Sequence, residues 1–409
     1  MQRLIVSICS FFVLSLPSPL WAFDFLNSLQ VHGFLSQGYI NSSDNNFLSD
    51  SINGTFEFTD VGLNANMSLT ENLRIGGQLF YRNLGNYSED EIVLDWGMID
   101  YQRFDALGLK LGKIKMPLGL YNENRDSDFL LPMVFLPQSV YDETRRDTYL
   151  AYVGAGLYGN FTLGATGDCD YHFFLGEVDF PSDSAQQTSS TNSVKAKITK
   201  NNDLPPARNN PVIPAHYDSV DRESDQIYGG AFVYHPYWIS GLRLGGSWLH
   251  AKFETFVNGS SRPSGNVVIH GKFVLSAEYS WRDLVFVTEY NETDRTSTMF
   301  GNVSLDGPTQ AWYGMINYTP FEQWTFSVMY DEFYTLKNDK NGSSRTQLSP
   351  YSSWRKDFGV GVRWEINEFL VAKADYHWID GAAMQMGLFN PDGTDRYWHY
   401  GVVRISFIF

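Results

Sequence analysis

DVGLNANMSLTENLRIGGQLFYR, residues 60–82, consists of two alternating runs joined by a polar break. In the first run Val61, Leu63, Ala65, Met67 and Leu69 share one parity, and Gly62, Asn64, Asn66 and Ser68 the other. That is the period-two signature of a strand with one apolar and one polar face. After residues 70–72 the scheme resumes, with Leu73, Ile75 and Leu79 set against Arg74, Gln78 and Arg82. The stretch is a hairpin whose segments are each about ten residues long.

The same unit recurs along the chain. Phe358, Val360, Val362 and Trp364 oppose Asp357, Gly359, Gly361 and Arg363, while the run from residue 283 to 291 admits either phase. At the end, in HYGVVRISFIF (399–409), Val403, Ile405, Phe407 and Phe409 alternate with Tyr400, Arg404 and Ser406. Short turns fall at LTENL, FDALG, TGDCD, HPYWISG, WRD, TPFEQ and INEF, seven in all. Between them lie eight longer polar stretches, around 41–54, 84–91, 121–147, 181–225, 254–267, 295–306, 336–353 and 381–396. These connections imply sixteen strands with both chain ends on the short-turn side. The predicted fold is all-β: a sixteen-stranded antiparallel transmembrane β-barrel with short periplasmic turns and long extracellular loops. A strand of about 12 residues rises roughly 40 Å, and a tilt of about 40° leaves about 30 Å, enough to cross hydrocarbon.

Composition agrees. Hydrophobic residues make up only 43% of the chain and the mean hydropathy is -0.26, yet 16% of residues are aromatic. Trp and Tyr prefer a membrane interface, where the ring is buried and its polar edge stays wet. One belt is expected near the short turns (Phe104, Trp238, Trp281, Phe321, Trp324, Trp364, Phe369, Phe409). A second is expected near the long loops (Tyr39, Tyr81, Tyr149, Tyr290, Tyr334, Trp354, Trp378, Trp398). Residues 1–22 carry Arg3, an apolar run and a small residue at Ala22, which predicts a signal peptide cleaved after Ala22 and a single barrel domain over 23–409. Cys169 would then be the only cysteine, free and in a periplasmic turn, with no disulfide within the chain. Only residues 23–28 precede the first strand, too few for the plug of an energised receptor. The net charge of -16 argues against general nucleic-acid binding.

The signal sequence, the sixteen segments and the terminal RISFIF together resemble a Gram-negative outer-membrane porin of the sixteen-stranded type. LDWGMIDYQRFDALGLKLGKIKMPLGLYNE (94–123) has a weaker similarity to a hairpin of phosphate-selective porins. The resemblance implies an outer-membrane location and a water-filled channel for passive diffusion of small hydrophilic solutes or ions. It also implies contact with outer-membrane lipid and lipopolysaccharide, and it allows a homotrimer. Val403, Ile405, Phe407 and Phe409 would form the signal read by the barrel-assembly machinery, with the last strand pairing to LQVHGFLSQGYI (29–40) to remove the sheet edges. A substrate-specific channel, for example for oligosaccharides, and a surface adhesin or structural barrel using residues 181–225 stay open as alternatives.

Apparent chemical motifs dissolve in this context. Gly154, Gly156 and Gly159 have dinucleotide-loop spacing but lead into another alternating segment instead of a helix. Asn124, Asp126 and Asp128 begin like a calcium loop, but Phe129 and Phe135 occupy the positions of its glycine and bidentate glutamate. The eight histidines show no zinc spacing and no GxSxG is present, so no enzyme, cofactor or metal is expected.

Two sets of pore residues follow. Residues 122–147, with an apolar centre at 129–136 between charged flanks, are predicted to fold into the lumen as a constriction loop presenting Arg125, Asp126, Asp128, Arg145 and Arg146. On the inward parities of the strands lie Arg74, Arg82, Arg243, Lys272, Arg363, Lys373 and Arg404, against Glu278, Asp331, Glu365 and Asp375. This excess of basic residues predicts a mild anion preference, because wall charges act closely on a confined ion.

Overall fold

The computed structural model describes residues 28–85, 88, 91–181, 184–344, 349–387 and 389–409. The predicted signal peptide lies outside the described residues. The strands are β1 (Leu29–Ser42), β2 (Thr59–Ser68), β3 (Leu73–Asn83), β4 (Ile92–Phe104), β5 (Leu107–Lys115), β6 (Ala151–Thr162), β7 (Gly167–Glu177) and β8 (Val220–Pro236). They continue as β9 (Leu242–Val257), β10 (Gly265–Trp281), β11 (Leu284–Met299), β12 (Asn302–Phe321), β13 (Trp324–Tyr334), β14 (Trp354–Asn367), β15 (Leu370–Asp380) and β16 (Tyr397–Ile408). Each pairs antiparallel with its sequence neighbours, and β1 pairs with β16, closing a sixteen-stranded barrel. The seam runs from Phe34 opposite Ile408 to Ser42 opposite Tyr400. Phe409 extends it, its N–H donating to the Gly33 carbonyl and its carbonyl accepting from Gly33 N–H, both at 3.0 Å. Closure removes the edges around the barrel, while the protruding ends of β8 (220–226) and β12 (302–309) pair on one side, with β9 and β11.

The two faces separate as the alternation requires. Leu63, Leu79, Ile99, Leu111, Leu275, Val328 and Ile405 are exposed on the outside, while Ser36, Gln78, Asp100, Asn317, Ser327 and Ser406 are buried inside. A continuous exposed apolar band with a polar interior inverts the pattern of a water-soluble protein and suits hydrocarbon. Phe104, Trp238 and Phe321 stand exposed at the short-turn end, where Trp324 and Trp364 also stack at 5.2 Å. Trp398 and Tyr149 depart from the expected belts. Trp398 has inward parity and is buried near Phe47 and Tyr400, and Tyr149 lies in the third loop.

All seven short connections separate strands as expected, but TGDCD is not itself a turn. Residues 163–166 make the turn, and Cys169 sits inside β7 as a buried free thiol. Two expected long loops are also shorter than predicted. The stretch 254–267 shortens to residues 258–264, and 295–306 reduces to a two-residue connection between Met299 and Asn302. Phe300 (φ 51) and Gly301 (φ 77) both take the left-handed backbone of a tight hairpin turn. The extra residues lengthen the strands: β8 to β12 run 16–20 residues, against 9 in β5. One side of the barrel therefore continues past the membrane as paired strands.

The fourth extracellular connection, 178–219, contains a helix, α1 (Ala185–Asn202), where the sequence predicts loop. Ser184 caps it, its hydroxyl accepting from Gln187 N–H at 3.2 Å. Val194 and Ile198, four residues apart, are buried with Val220, Val257 and Phe300. One helix face thus packs against the inner surface of the elongated strands.

Candidate functional site

The third connection, residues 116–150, folds inside the barrel. Its base is closed by Met116 N–H donating to the Leu150 carbonyl at 2.9 Å. Gly119, at φ 65, turns the chain inward, and its N–H donates to Ser247 Oγ at 3.0 Å. The next amide, Leu120, donates to Glu289 Oε1 at 2.9 Å. Glu289, on β11, is fully buried and also accepts from Ser276 Oγ and the hydroxyls of Tyr141 and Tyr313, at 2.5–2.7 Å. Four donors on one carboxylate fix the loop's entry to the wall.

Beyond that point the loop crosses toward the seam. Val134 N–H donates to Asp375 Oδ2 at 2.6 Å, and Ser139 N–H donates to Asp331 Oδ2 at 3.2 Å. Arg363 donates to the Phe129 carbonyl at 2.7 Å, and Lys373 donates to the Met133 carbonyl at 3.0 Å. The apolar tip fills the space these bonds define: Phe135 stacks on Phe58 at 5.2 Å and packs edgewise on Phe47 and Tyr400. An apolar segment tethered by its backbone to wall carboxylates and cations satisfies both requirements of burial.

The charged flanks are placed differently from expectation. Asp128 does not face open water; it pairs with Lys373 at 2.5 Å, accepts from Ser406 and approaches Arg404 at 3.6 Å. Asp126 pairs with Lys115 and Arg146. Arg125 is buried, donating to Glu143 at 2.6 Å and to the Tyr141 carbonyl at 2.9 Å. Arg146 is likewise buried, over the Phe80 ring at 4.7 Å. Arg145 is the exception, a partly exposed side chain whose ion pair with Asp142 is long, at 3.4 Å. Burial alone would raise the Glu143 carboxyl, but Arg125 and Arg82 more than offset this and hold it at about 2. Asp128 is also held low: its burial opposes the shift, and Arg404 and Lys373 outweigh it.

The wall cations are mostly matched to acids. Arg74 meets Asp100 at 2.7 Å, and Arg243 meets Glu278 at 3.0 Å. Arg363 pairs with Glu365. Arg82 forms two bonds to Asp60, at 2.7 and 3.0 Å, and one to Glu143 at 2.7 Å; Arg404 reaches the same Asp60 at 2.5 Å. Asp331 lies 3.4 Å from Arg355, which also pairs with Asp357 at 2.7 Å. Lys272 differs, donating to the neutral Asn291 amide at 3.2 Å and lying over the Tyr149 ring at 4.9 Å. The excess of inward basic residues is therefore largely cancelled by Asp60, Asp100 and Asp128, which the strand parities had not brought into the count.

Two cavities flank the inward loop. A chamber of about 820 Å³ opens on the extracellular side, between the loop's charged end, α1, the extended strands and the last two long connections. A smaller one of about 340 Å³ lies on the opposite side of the loop, lined by Asn64, Gln78, Lys110 and Glu123 among others. Among the described residues, no group of His, Cys, Asp and Glu is placed to hold a metal ion.

Comparison of the sequence with models of protein families and with curated proteins gives no match. Solved structures do match in fold. In-vitro-folded OmpT, an outer membrane protein of Vibrio cholerae, aligns over 93% of this chain and 97% of its own at TM-score 0.53 and 11% identity. An anion-selective porin from Comamonas acidovorans aligns over 93% and 99%, also at 0.53 and 11%. Salmonella typhi OmpF, in complex with daunomycin, gives 93%, 97%, 0.54 and 11%. Likeness at this identity speaks for the fold, and the fold is that of the sixteen-stranded, porin-type barrel of the Gram-negative outer membrane.

Proposed function

We propose that this barrel is a channel for passive diffusion of small hydrophilic solutes and ions across the outer membrane, with a mild preference for anions, and that it is not an enzyme. The observation that carries the proposal is the inward third loop with a chamber on each side, a narrowing set between two aqueous spaces. Anion preference rests on the cations at the extracellular chamber, since most of the wall cations are neutralised by their partners.

An adhesin is disfavoured by the fourth connection. Its helix turns inward to bury Val194 and Ile198 on the strands, instead of offering an outward platform. In this reading Val403, Ile405, Phe407 and Phe409 serve barrel assembly, and lipid, lipopolysaccharide and two further copies of the chain are the neighbours. The OmpT match includes a trimer form of that protein, at TM-score 0.52 and 10% identity.

Planar-bilayer recording of the purified protein tests the channel. Discrete conductance steps are expected, and deleting residues 127–140 should raise their size in a barrel that still folds. Absence of steps would refute the channel, and unchanged steps after the deletion would refute the loop as its narrowing.

A further inference from the structure

The extracellular chamber carries an arrangement that simple diffusion does not require. Arg222, near the start of β8, and Arg145, at the end of the third loop, both line it, as does Arg295 from β11. Among the described residues Arg222 has no carboxylate at ion-pair distance. It donates to Gln186 Oε1 at 3.3 Å and Ser190 Oγ at 3.4 Å, and its Nε is buried without an acceptor. The aromatic rings of Phe180 and Phe253 hold its guanidinium from below, at 4.8 and 5.3 Å. A guanidinium clamped on rings and helix side chains loses little further freedom when an anion arrives. Asp142 is the one carboxylate among the described residues lining the chamber, and it pairs with Arg145 at 3.4 Å.

Beside the cations stands a polar face of α1, whose Gln186 and Ser190 already accept from Arg222. Gln186, Ser189, Asn192 and Ser193 line the chamber, the Gln186 amide donating to the Thr144 carbonyl at 3.1 Å and the Asn192 amide to the Thr188 carbonyl at 3.0 Å, while Val194 and Ile198 hold the helix's other face to the wall. Neutral donors and acceptors spaced along a helix suit a row of hydroxyl groups. At about 820 Å³ the chamber falls within the range of roughly 300–1,000 Å³ typical of small-molecule sites.

We propose that this chamber is a binding site for an acidic saccharide of one or two rings, its carboxylate received by Arg222 and Arg145 and its hydroxyls by the polar face of α1. The site would concentrate such solutes at the channel entrance. This rests on the channel reading for its use, but binding itself does not depend on conduction.

The test has two arms. Isothermal titration of the detergent-folded protein with digalacturonate, maltose and acetate measures binding without a membrane, and current blockade by the same probes measures it in the open channel. Digalacturonate should bind at least tenfold more tightly than either maltose or acetate. Arg222→Gln and Arg145→Gln should each weaken it about tenfold or more; the second side chain is partly exposed, so its loss leaves the barrel intact. Equal affinity for maltose, equal affinity for acetate, or no loss in either variant overturns the site. Binding without conductance steps would uphold the site and remove the channel. Steps without digalacturonate binding would do the reverse.

Discussion

Glu143→Gln probes what holds the third loop in the lumen. The Glu143 carboxylate joins Arg82, through 2.7 Å, to Arg125, through 2.6 Å. Arg82 keeps Asp60 when Glu143 is neutralised, but Arg125, with 3% of its side chain exposed, is left among the described residues with neutral acceptors alone, the Tyr141 carbonyl and the glutamine amide. Leaving a buried cation without its acid costs about 3–5 kcal/mol. The depression of the Glu143 carboxyl from 4.5 to about 2, the net of its burial against Arg125, Arg82 and Arg146 together, corresponds to a figure of about 3 kcal/mol for the whole cluster. A loss of about 3 kcal/mol raises the detached-loop population roughly a hundredfold. Trypsin reports it, because Arg125, Arg145 and Arg146 become cleavable only when the loop leaves the wall. Folded wild-type protein should resist cleavage in this segment, and Glu143→Gln should be cut there and show noisier single-channel current. The pH dependence has a fixed sign. A carboxyl depressed in the folded state stabilises fully above about 4.5, and the contribution fades as pH falls toward about 2. Wild-type current should therefore be steady at pH 5 and grow noisy near pH 3. Equal protease resistance in the variant, with equal current noise, would refute the idea that this triad anchors the loop.

Reversal potentials under a KCl gradient should show mild anion preference that Arg145→Gln diminishes; a clearly cation-selective wild type would mean that the acidic loops govern the entrance. Phe409→Ala should lower the yield and rate of heat-resistant folded barrel, since the Phe409 ring lies over Gly33 of β1 and stacks on Phe407 at 6.1 Å; unchanged refolding would remove its assembly role. Cys169, buried in β7, should resist a membrane-impermeant maleimide in the folded barrel and react after denaturation, and rapid labelling from the extracellular side would show the orientation to be inverted.

The membrane-spanning parts of this chain were legible because hydrocarbon imposes a rule on every second residue. Val61 to Leu69 and Val403 to Phe409 could not reverse phase without placing Asn66 or Arg404 in lipid. Above the membrane that rule lapses, since water lies on both faces of a protruding hairpin. Residues 295–306 consequently looked like loop although most of them pair in register between β11 and β12, and Arg222 and Arg295 were hidden in segments assigned to loops. Glu289 was missed for a related reason, because either phase of residues 283–291 gives an acceptable strand and only the register with β10 and β12 settles which side faces inward. The helix at 185–202 offers only Val194 and Ile198 to the wall, too sparse an apolar stripe to stand out from its polar surroundings.

Charge partners fail to show in sequence on different grounds. Parity places Arg404 inside the barrel, but only closure of the seam and the fold of the third loop bring it to Asp60 and Asp128, each more than 270 positions away. A count of inward cations therefore overstates the field in the lumen, because low local dielectric makes each unpaired charge costly and the fold supplies it a partner. Cations that escape this pairing have to be tethered by something other than an acid. Arg222 is held by two aromatic rings and two helix side chains, and Lys272 by Asn291 and the Tyr149 ring. Aromatic and amide contacts hold a cation in position without cancelling its charge, so selectivity in this barrel should follow the few cations held in this way more than the larger number that line the wall.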